Sequence, residues 1–410
     1  MHTAIRAYER ERDLDSVARI WREIGWIDAG EANAEALGAF FSAGHAEVAH
    51  INGDAECAVH WSSGSMQYET TPLRLCALTG VATSLIGRRQ GFASTLTARD
   101  LEQGAMDGCA VAVLGMFEQG FYDRLGFATS AYENVLTFDP ACLLVDHVVY
   151  RVPERLGLAD SDDIHAALVG RRKNHGSIVL DAAEVVRAEM GFAENLHVLG
   201  YRNDDGRLTH FLWGSLTGEN GPFRIRAIAY ETTNQLLELL RLLRELSDQI
   251  RWVTLLEPAE VQLQVLLADP MRARDRSRKT DHPSRNEAIA WCQIRILDLD
   301  ACVRARHWAG PPVRFNLSLS DPLAERLEGP WRGVGGEYVV TVGPDSLVST
   351  GHEDGLPGVV CDVGAFSRLW FGVAPASSLA VTDALSGTPE LLTELDDALR
   401  LPPPVMGWEI

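Results

Sequence analysis

Leu78-Thr79-Gly80-Val81-Ala82-Thr83-Ser84-Leu85-Ile86-Gly87-Arg88-Arg89-Gln90-Gly91-Phe92-Ala93-Ser94-Thr95-Leu96 reads as a strand, a basic glycine turn and the opening of a helix. The apolar run Leu73–Ala82 predicts the strand, and the helix is expected from about Ala93 to Gly104. That order presents backbone N–H groups at the positive end of a helix dipole, which suits a pyrophosphate. Arg88 and Arg89 add fixed positive charge for phosphate oxygens. Gly91 and Ala93 leave room for phosphate close to the backbone, where a larger side chain would obstruct it. The candidate cofactor-binding residues are Gly80, Val81, Ala82 and Thr83 at the strand end, with Arg88, Arg89, Gln90, Gly91, Phe92, Ala93 and Ser94 through the turn. The competing reading is an ordinary strand–turn–helix with a solvated arginine pair.

Upstream, Asp13 or Asp15 can cap a helix that places Val17, Ile20, Trp21 and Ile24 on one face. Asn52-Gly53 between the apolar runs Ala46–Ile51 and Ala55–Trp61 predicts a hairpin. Downstream come a strand at Cys109–Met116, a turn or short helix at Gly120–Leu125 and a strand at Glu133–Phe138. Around Val149–Asp163 the chain becomes loop-like, which suggests a boundary. Beyond it lie strands at His197–Arg202, His210–Leu216 and Phe223–Tyr230. A helix over Thr233–Ile250 follows, its Leu236, Leu239, Leu240 and Leu243 forming a core stripe. A third segment begins near Trp291, with strands at Val313–Leu319 and Gly336–Val342 and a last helix at Glu390–Leu399.

At 410 residues the chain is too long for one compact core. Its net charge of −20 repels nucleic acid and anionic membranes and would attract cationic substrates, although solubility alone accounts for most of such a charge. The arginine-rich stretch Arg272–Arg285 has no aromatic interleaving, so a solvated loop is the expectation there. The 7 cysteines are scattered without a C-x-x-C pair, zinc-ligand spacing is absent, and the first residues lack the apolar core of a signal peptide. A cytoplasmic protein without a metal is expected.

Arg88-x-x-Gly91-x-Ala93 matches the acetyl-CoA signature of the GNAT acetyltransferases. The half-matches at Arg22…Gly25, Arg326…Gly329 and Arg332…Gly335 lack the strand–turn–helix setting. Tyr122-Asp123-Arg124-Leu125-Gly126-Phe127 resembles the Tyr-x-x-x-Gly-Phe end of GNAT domains, where the hydroxyl lies near the CoA sulfur. Over its whole length the chain resembles the enhanced-intracellular-survival acetyltransferases. The later stretches carrying this likeness are Gly221-Pro222-Phe223-Arg224, Leu267-Ala268-Asp269-Pro270, Val313-Arg314-Phe315-Asn316-Leu317 before Asp321-Pro322, and Cys361-Asp362-Val363-Gly364-Ala365-Phe366.

The resemblance implies an α+β protein with a catalytic GNAT domain at 1–148, a degenerate second GNAT-like lobe at 149–290 and a sterol-carrier-protein-like domain at 291–410. It implies acetyl-CoA as co-substrate, a hexamer, and direct acetyl transfer to a primary amine such as an aminoglycoside, a polyamine or a lysine side chain. In that family the chain's terminal carboxylate serves as base, a role that would fall here to Ile410. Tyr122 would protonate the leaving thiolate, and Asp28, Glu31 and Glu409 would bind the cationic acceptor. Thr83 stands where the family pattern has proline. A different reading makes the chain a non-catalytic lipid- or small-molecule-binding module with a vestigial acyltransferase domain.

Overall fold

The computed structural model describes residues 3–28, 30–193, 195–268 and 284–408, with the backbone alone for 31–33. Most of the basic stretch at 272–285, and Glu409 and Ile410, therefore lie outside the described residues, as does the Glu31 side chain.

The chain opens with β1 (Thr3–Ala7), α1 (Arg10–Glu23) and α2 (Glu31–Ser42), then β2 (His45–Ile51), β3 (Asp54–Tyr68) and β4 (Thr71–Thr83). Asn52-Gly53 turns β2 into β3, with both residues at positive φ, as the dipeptide predicts. Next come α3 (Phe92–Met106), β5 (Val111–Gly115) and the short β6 (Ala128–Thr129). Strand β4 is antiparallel to β3 and parallel to β5. Val17, Ile20, Trp21, Phe40 and Phe41 from α1 and α2 bury on one face of this sheet, while Leu96 and Leu101 of α3 bury on the other.

The second lobe contains β7 (Glu133–Phe138), β8 (Glu154–Leu156), α4 (Ser161–Gly170), β9 (Ile178–Leu180) and α5 (Ala183–Phe192). It continues through β10 (Leu196–Arg202), β11 (Leu208–Leu216), β12 (Phe223–Ala229), α6 (Thr233–Glu245), β13 (Val253–Leu256) and β14 (Arg285–Ile289). Its sheet runs β14-β7-β13-β12-β11-β10-β8. One face is covered by α6, whose Leu236, Leu239, Leu240 and Leu243 bury as the helical spacing requires.

The chain trades strands between lobes. The strand β7, grouped in the sequence with the first domain, pairs inside the second sheet between β13 and β14. Conversely, β9 pairs with β3, and β15 (Cys292–Ile296) inserts between β5 and β6 of the first sheet. The remaining elements are α7 (Leu299–Arg304), β16 (Val313–Ser320), β17 (Gly336–Val342), β18 (Leu347–Thr350), β19 (Gly358–Asp362), α8 (Val363–Trp370), α9 (Ala376–Thr382), β20 (Leu385–Gly387) and α10 (Pro389–Ala398). They build a third, five-stranded sheet in the order β18-β17-β16-β19-β20. A fully buried ion pair, Arg295 of β15 with Asp321 after β16, joins this domain to the first sheet, and Arg295 also donates to the Leu125 carbonyl. Among the described residues no helix is long and apolar enough to cross a membrane, and no cluster of side chains suits a metal ion. All seven cysteines are free thiols.

Candidate active site

Strand β4 pairs with β5 only from Leu75↔Val111 to Leu78↔Leu114, and then runs on to Thr83. Beyond Leu78 the two parallel strands part, and the β5-facing edge of β4 has no strand partner among the described residues. A bulge marks the parting. Against β3 the register passes from Trp61↔Leu78 to His60↔Gly80, leaving Thr79 as the extra residue. The Thr79 hydroxyl lies 2.7 Å from His60 Nδ1. His60 is fully buried against Phe40, and burial drives its pKa down to about 3, so the ring is neutral at physiological pH. A Cβ at Gly80 would meet Trp21, Phe40 and His60 at ordinary van der Waals distance.

The turn after β4 is held from below. Ser84 N–H donates to the Glu56 carbonyl, Leu85 N–H to Glu23 Oε2 and Gly87 N–H to Ser84 Oγ. Gly87 is required by space, because a Cβ there would lie 2.7 Å from the Glu56 carbonyl oxygen. After Gly87 the internal bonds stop. Thr95 N–H makes the first intrahelical bond, to the Gly91 carbonyl, and the amides from Arg88 through Ser94 have no partner among the described residues. Unpaired amides at a helix start are ordinary, but here no side chain caps them. The Ser94 and Thr95 hydroxyls both bond back to the Gly91 carbonyl, so neither occupies the amide side.

Arg89 and Gly91 adopt left-handed backbone at φ +62° and +79°. Nothing lies within 4 Å of a Cβ built on Gly91. The glycine is thus demanded by backbone conformation, and the space in front of it is open rather than tight. Arg88 and Arg89 are exposed, and neither forms an ion pair among the described residues. Helix α3 is fixed to β2 by Arg99, which grips both Glu47 oxygens at 2.6 and 2.7 Å, and by buried Asp100, 3.2 Å from His45 Nδ1. Burial lifts the Asp100 pKa to about 7 against the pull of His45, whose own pKa rises through that contact.

Tyr122 sits with Cys57, Leu78, Leu96 and Leu114 in the apolar cluster beneath the parting strands. Phe121, Phe117 and Phe127 pack edge-on against its ring, at 4.8, 6.0 and 6.1 Å between centroids. Its hydroxyl has no hydrogen-bond partner among the described residues. Burial raises the phenol pKa well above its ordinary value, with the nearby Cys57 thiol adding to the shift. The group is therefore a protonated donor throughout the neutral range.

Of the residues expected to bind an acceptor, Asp28 is exposed. What the sequence did not single out is how the tail is held. Met406 N–H donates to buried Glu133, whose other oxygen accepts from Trp291 Nε1. The Met406 carbonyl accepts from Ile178 N–H and lies 3.4 Å from Arg171, and Arg171 also stacks over Trp408. Trp291 in turn accepts the N–H of Met116, just past the end of β5. The tail is thus held by the Glu133 carboxylate, by Ile178 of β9 on the first sheet and by Arg171. No motif announced Glu133; only its place at the head of a regular strand was readable.

A parted pair of parallel strands, a bulge at the parting, and an uncapped glycine turn opening a helix together make up the site. Residues 5–130 match the acetyltransferase (GNAT) domain family, and residues 299–407 match the sterol carrier protein domain. The chain therefore carries a GNAT domain at its N-terminal end and a sterol-carrier-type domain at its C-terminal end. A probable N-acyltransferase of Enterococcus faecalis V583 superposes over 100% of both chains with TM-score 0.80 and 15% identity. Eis1 from Mycobacterium abscessus does so over 100% of both chains with TM-score 0.75 and 17% identity. A GCN5-related N-acetyltransferase from Kribbella flavida covers 100% of this chain and 98% of its own, with TM-score 0.75 and 16% identity. No curated protein matches the sequence. At these identities the likeness is one of fold.

Proposed function

We propose that the protein transfers an acetyl group from acetyl-CoA to a primary amine. The observation that carries this reading is the unspent run of amides from Arg88 to Ser94, flanked by two unpaired guanidinium groups. A diphosphate is the ligand that such a nest and helix terminus complement. The pantetheine arm then lies along the free edge of β4 beyond Leu78, as an added strand would. Backbone N–H groups near Val81 polarise the thioester carbonyl, and Tyr122 gives its proton to the departing thiolate. The acceptor loses its proton to the carboxylate of Ile410 or to a water that this carboxylate orients, with Asp28, Glu31 and Glu409 drawing in its charge. Segments 1–148, 149–290 and 291–410 serve as catalytic domain, scaffold lobe and tail-bearing domain of a cytoplasmic homohexamer. No metal takes part in this scheme.

Thiol release from acetyl-CoA, measured against a panel of aminoglycosides, polyamines and lysine peptides, tests the reading. Amine-dependent release is expected. Tight acetyl-CoA binding without release to any amine would contradict it.

A further inference from the structure

The face of the second sheet opposite α6 is covered only in part. Phe211 and Trp213 bury at its β11 side in the core that also includes α4 and α5. Towards β12, β13, β7 and β14 the same face borders a cavity of about 730 Å³, within the range of small-molecule sites. Registers show what that face carries. Arg285 pairs with Thr137, Thr137 with Thr254, Thr254 with Arg224, and Arg224 with Ser215, so one row of guanidinium and hydroxyl groups crosses five strands. Arg226 is the extra residue of a bulge between Ile225↔Gly214 and Ala227↔Trp213, and it too borders the cavity.

Arg171, Arg172, Arg224, Arg226 and Arg285 line the cavity, with Glu257 and Glu287 the carboxylates among its walls. That balance is positive in a chain whose net charge is −20. Arg224 and Arg226 make no ion pair among the described residues, and the two pairs at the rim are long, Arg285–Glu287 at 3.4 Å and Arg172–Glu260 at 3.7 Å. Arg171 is 6% exposed and spends its hydrogen bonds on the carbonyls of Leu168, Ile178 and Met406. Among the described residues no carboxylate neutralises its buried charge, an expensive arrangement unless an anion comes near. Val405, Gly407 and Trp408 of the tail form another wall.

We infer that this cavity is a binding site for a small oxyanion-bearing molecule, held by Arg224, Arg226 and Arg285 with the Thr254 and Ser215 hydroxyls. The site shares no residue with the turn at 88–94, although the tail that carries Ile410 forms one of its walls. Acetyl-CoA is not its ligand, because the N-terminus of α6 beside it is capped internally: Gln235 N–H donates to Thr232 Oγ1, and Glu231 and Thr232 N–H donate to Gln235 Oε1. Nucleic acid is disfavoured by the overall charge.

Calorimetric titration of the full-length protein with inorganic phosphate and with citrate, at constant ionic strength and with chloride as control, tests the assignment. One saturable site is expected. It should weaken at least tenfold in Arg224→Glu/Arg226→Glu and to a smaller extent in Arg224→Gln, with acetyl-CoA affinity unchanged in both. Preference for phosphate assigns a phosphoryl ligand and preference for citrate a polycarboxylate. Absence of saturable binding, equal binding in the charge-reversed variant, or binding that emerges only after deletion of Glu409 and Ile410 would overturn it; the last would mean that the chain's own end fills the cavity.

Discussion

The two lobes contain the same strand geometry with opposite endings. In each, a strand parts from a parallel neighbour after a short pairing: β4 from β5 after Leu78, and β12 from β13 after Ile225. In the first lobe the chain runs from Thr83 to Phe92 before the helix begins, long enough to fold a nest of free amides. In the second lobe only Tyr230, Glu231 and Thr232 separate β12 from α6, and a capping box takes up the Glu231, Thr232 and Gln235 N–H groups, leaving only Thr233 and Asn234 without a partner among the described residues. A parted strand pair alone therefore does not make an acyl-CoA site. What differs is the length of the turn and whether a cap takes up part of the amides: seven stand unspent from Arg88 to Ser94, against two at the start of α6.

The largest effect should come from reversing charge at the open turn. Arg88→Glu/Arg89→Glu removes two charge-assisted contacts worth about 1.5–3 kcal/mol each, so acetyl-CoA affinity should fall by roughly 1,000-fold in calorimetry. An unchanged affinity would dissolve the distinction between the lobes. Tyr122→Phe comes next: steady-state assays should find turnover lowered about 100-fold, the low end for loss of a general acid, with acetyl-CoA affinity retained.

Each lobe also buries a histidine on the strand before its parted one. His60 has a folded pKa of about 3 against an ordinary value near 6.5. The unfolded chain takes up a proton below about pH 6.5 and the folded chain does not. Its contribution is thus complete above that pH and is lost as pH falls towards 3, at roughly 1.4 kcal/mol per pH unit. Urea titrations of His60→Gln should show a flatter acid limb between pH 6.5 and 4. His210→Gln should flatten it less, because Glu238, 3.0 Å away, opposes the fall in the His210 pKa. The smallest effect belongs to Thr232→Ala, which should cost about 1 kcal/mol of stability in thermal unfolding and leave acetyl-CoA binding untouched.

Local signals in the sequence read well. The Asn52-Gly53 hairpin, the stripe of leucines on α6 and the strands at Glu133–Phe138 and Gly336–Val342 stand where their patterns put them. The basic turn lies between β4 and α3 as its residues require. Sheet membership was not legible. Alternation identifies which face of a strand is buried, but it does not name the partner, so the exchange of β7 and β15 between lobes left no trace in the pattern. At Gly91 the left-handed backbone adds a requirement for glycine that leaves no mark on a sequence. The uncapped state of α3 was equally hidden: Ser94 and Thr95 could in principle have turned towards its amides, and only the coordinates show them bonded to the Gly91 carbonyl. The arginine row on the second sheet spans strands distant in sequence, and only the register brings it together.

Amide hydrogen–deuterium exchange with and without saturating acetyl-CoA addresses the contrast between the lobes at the atoms concerned. Peptides covering 88–94 should gain strong protection, while those covering 231–236 should not change. Unprotected amides at 88–94, or protection confined to the second lobe, would contradict the account.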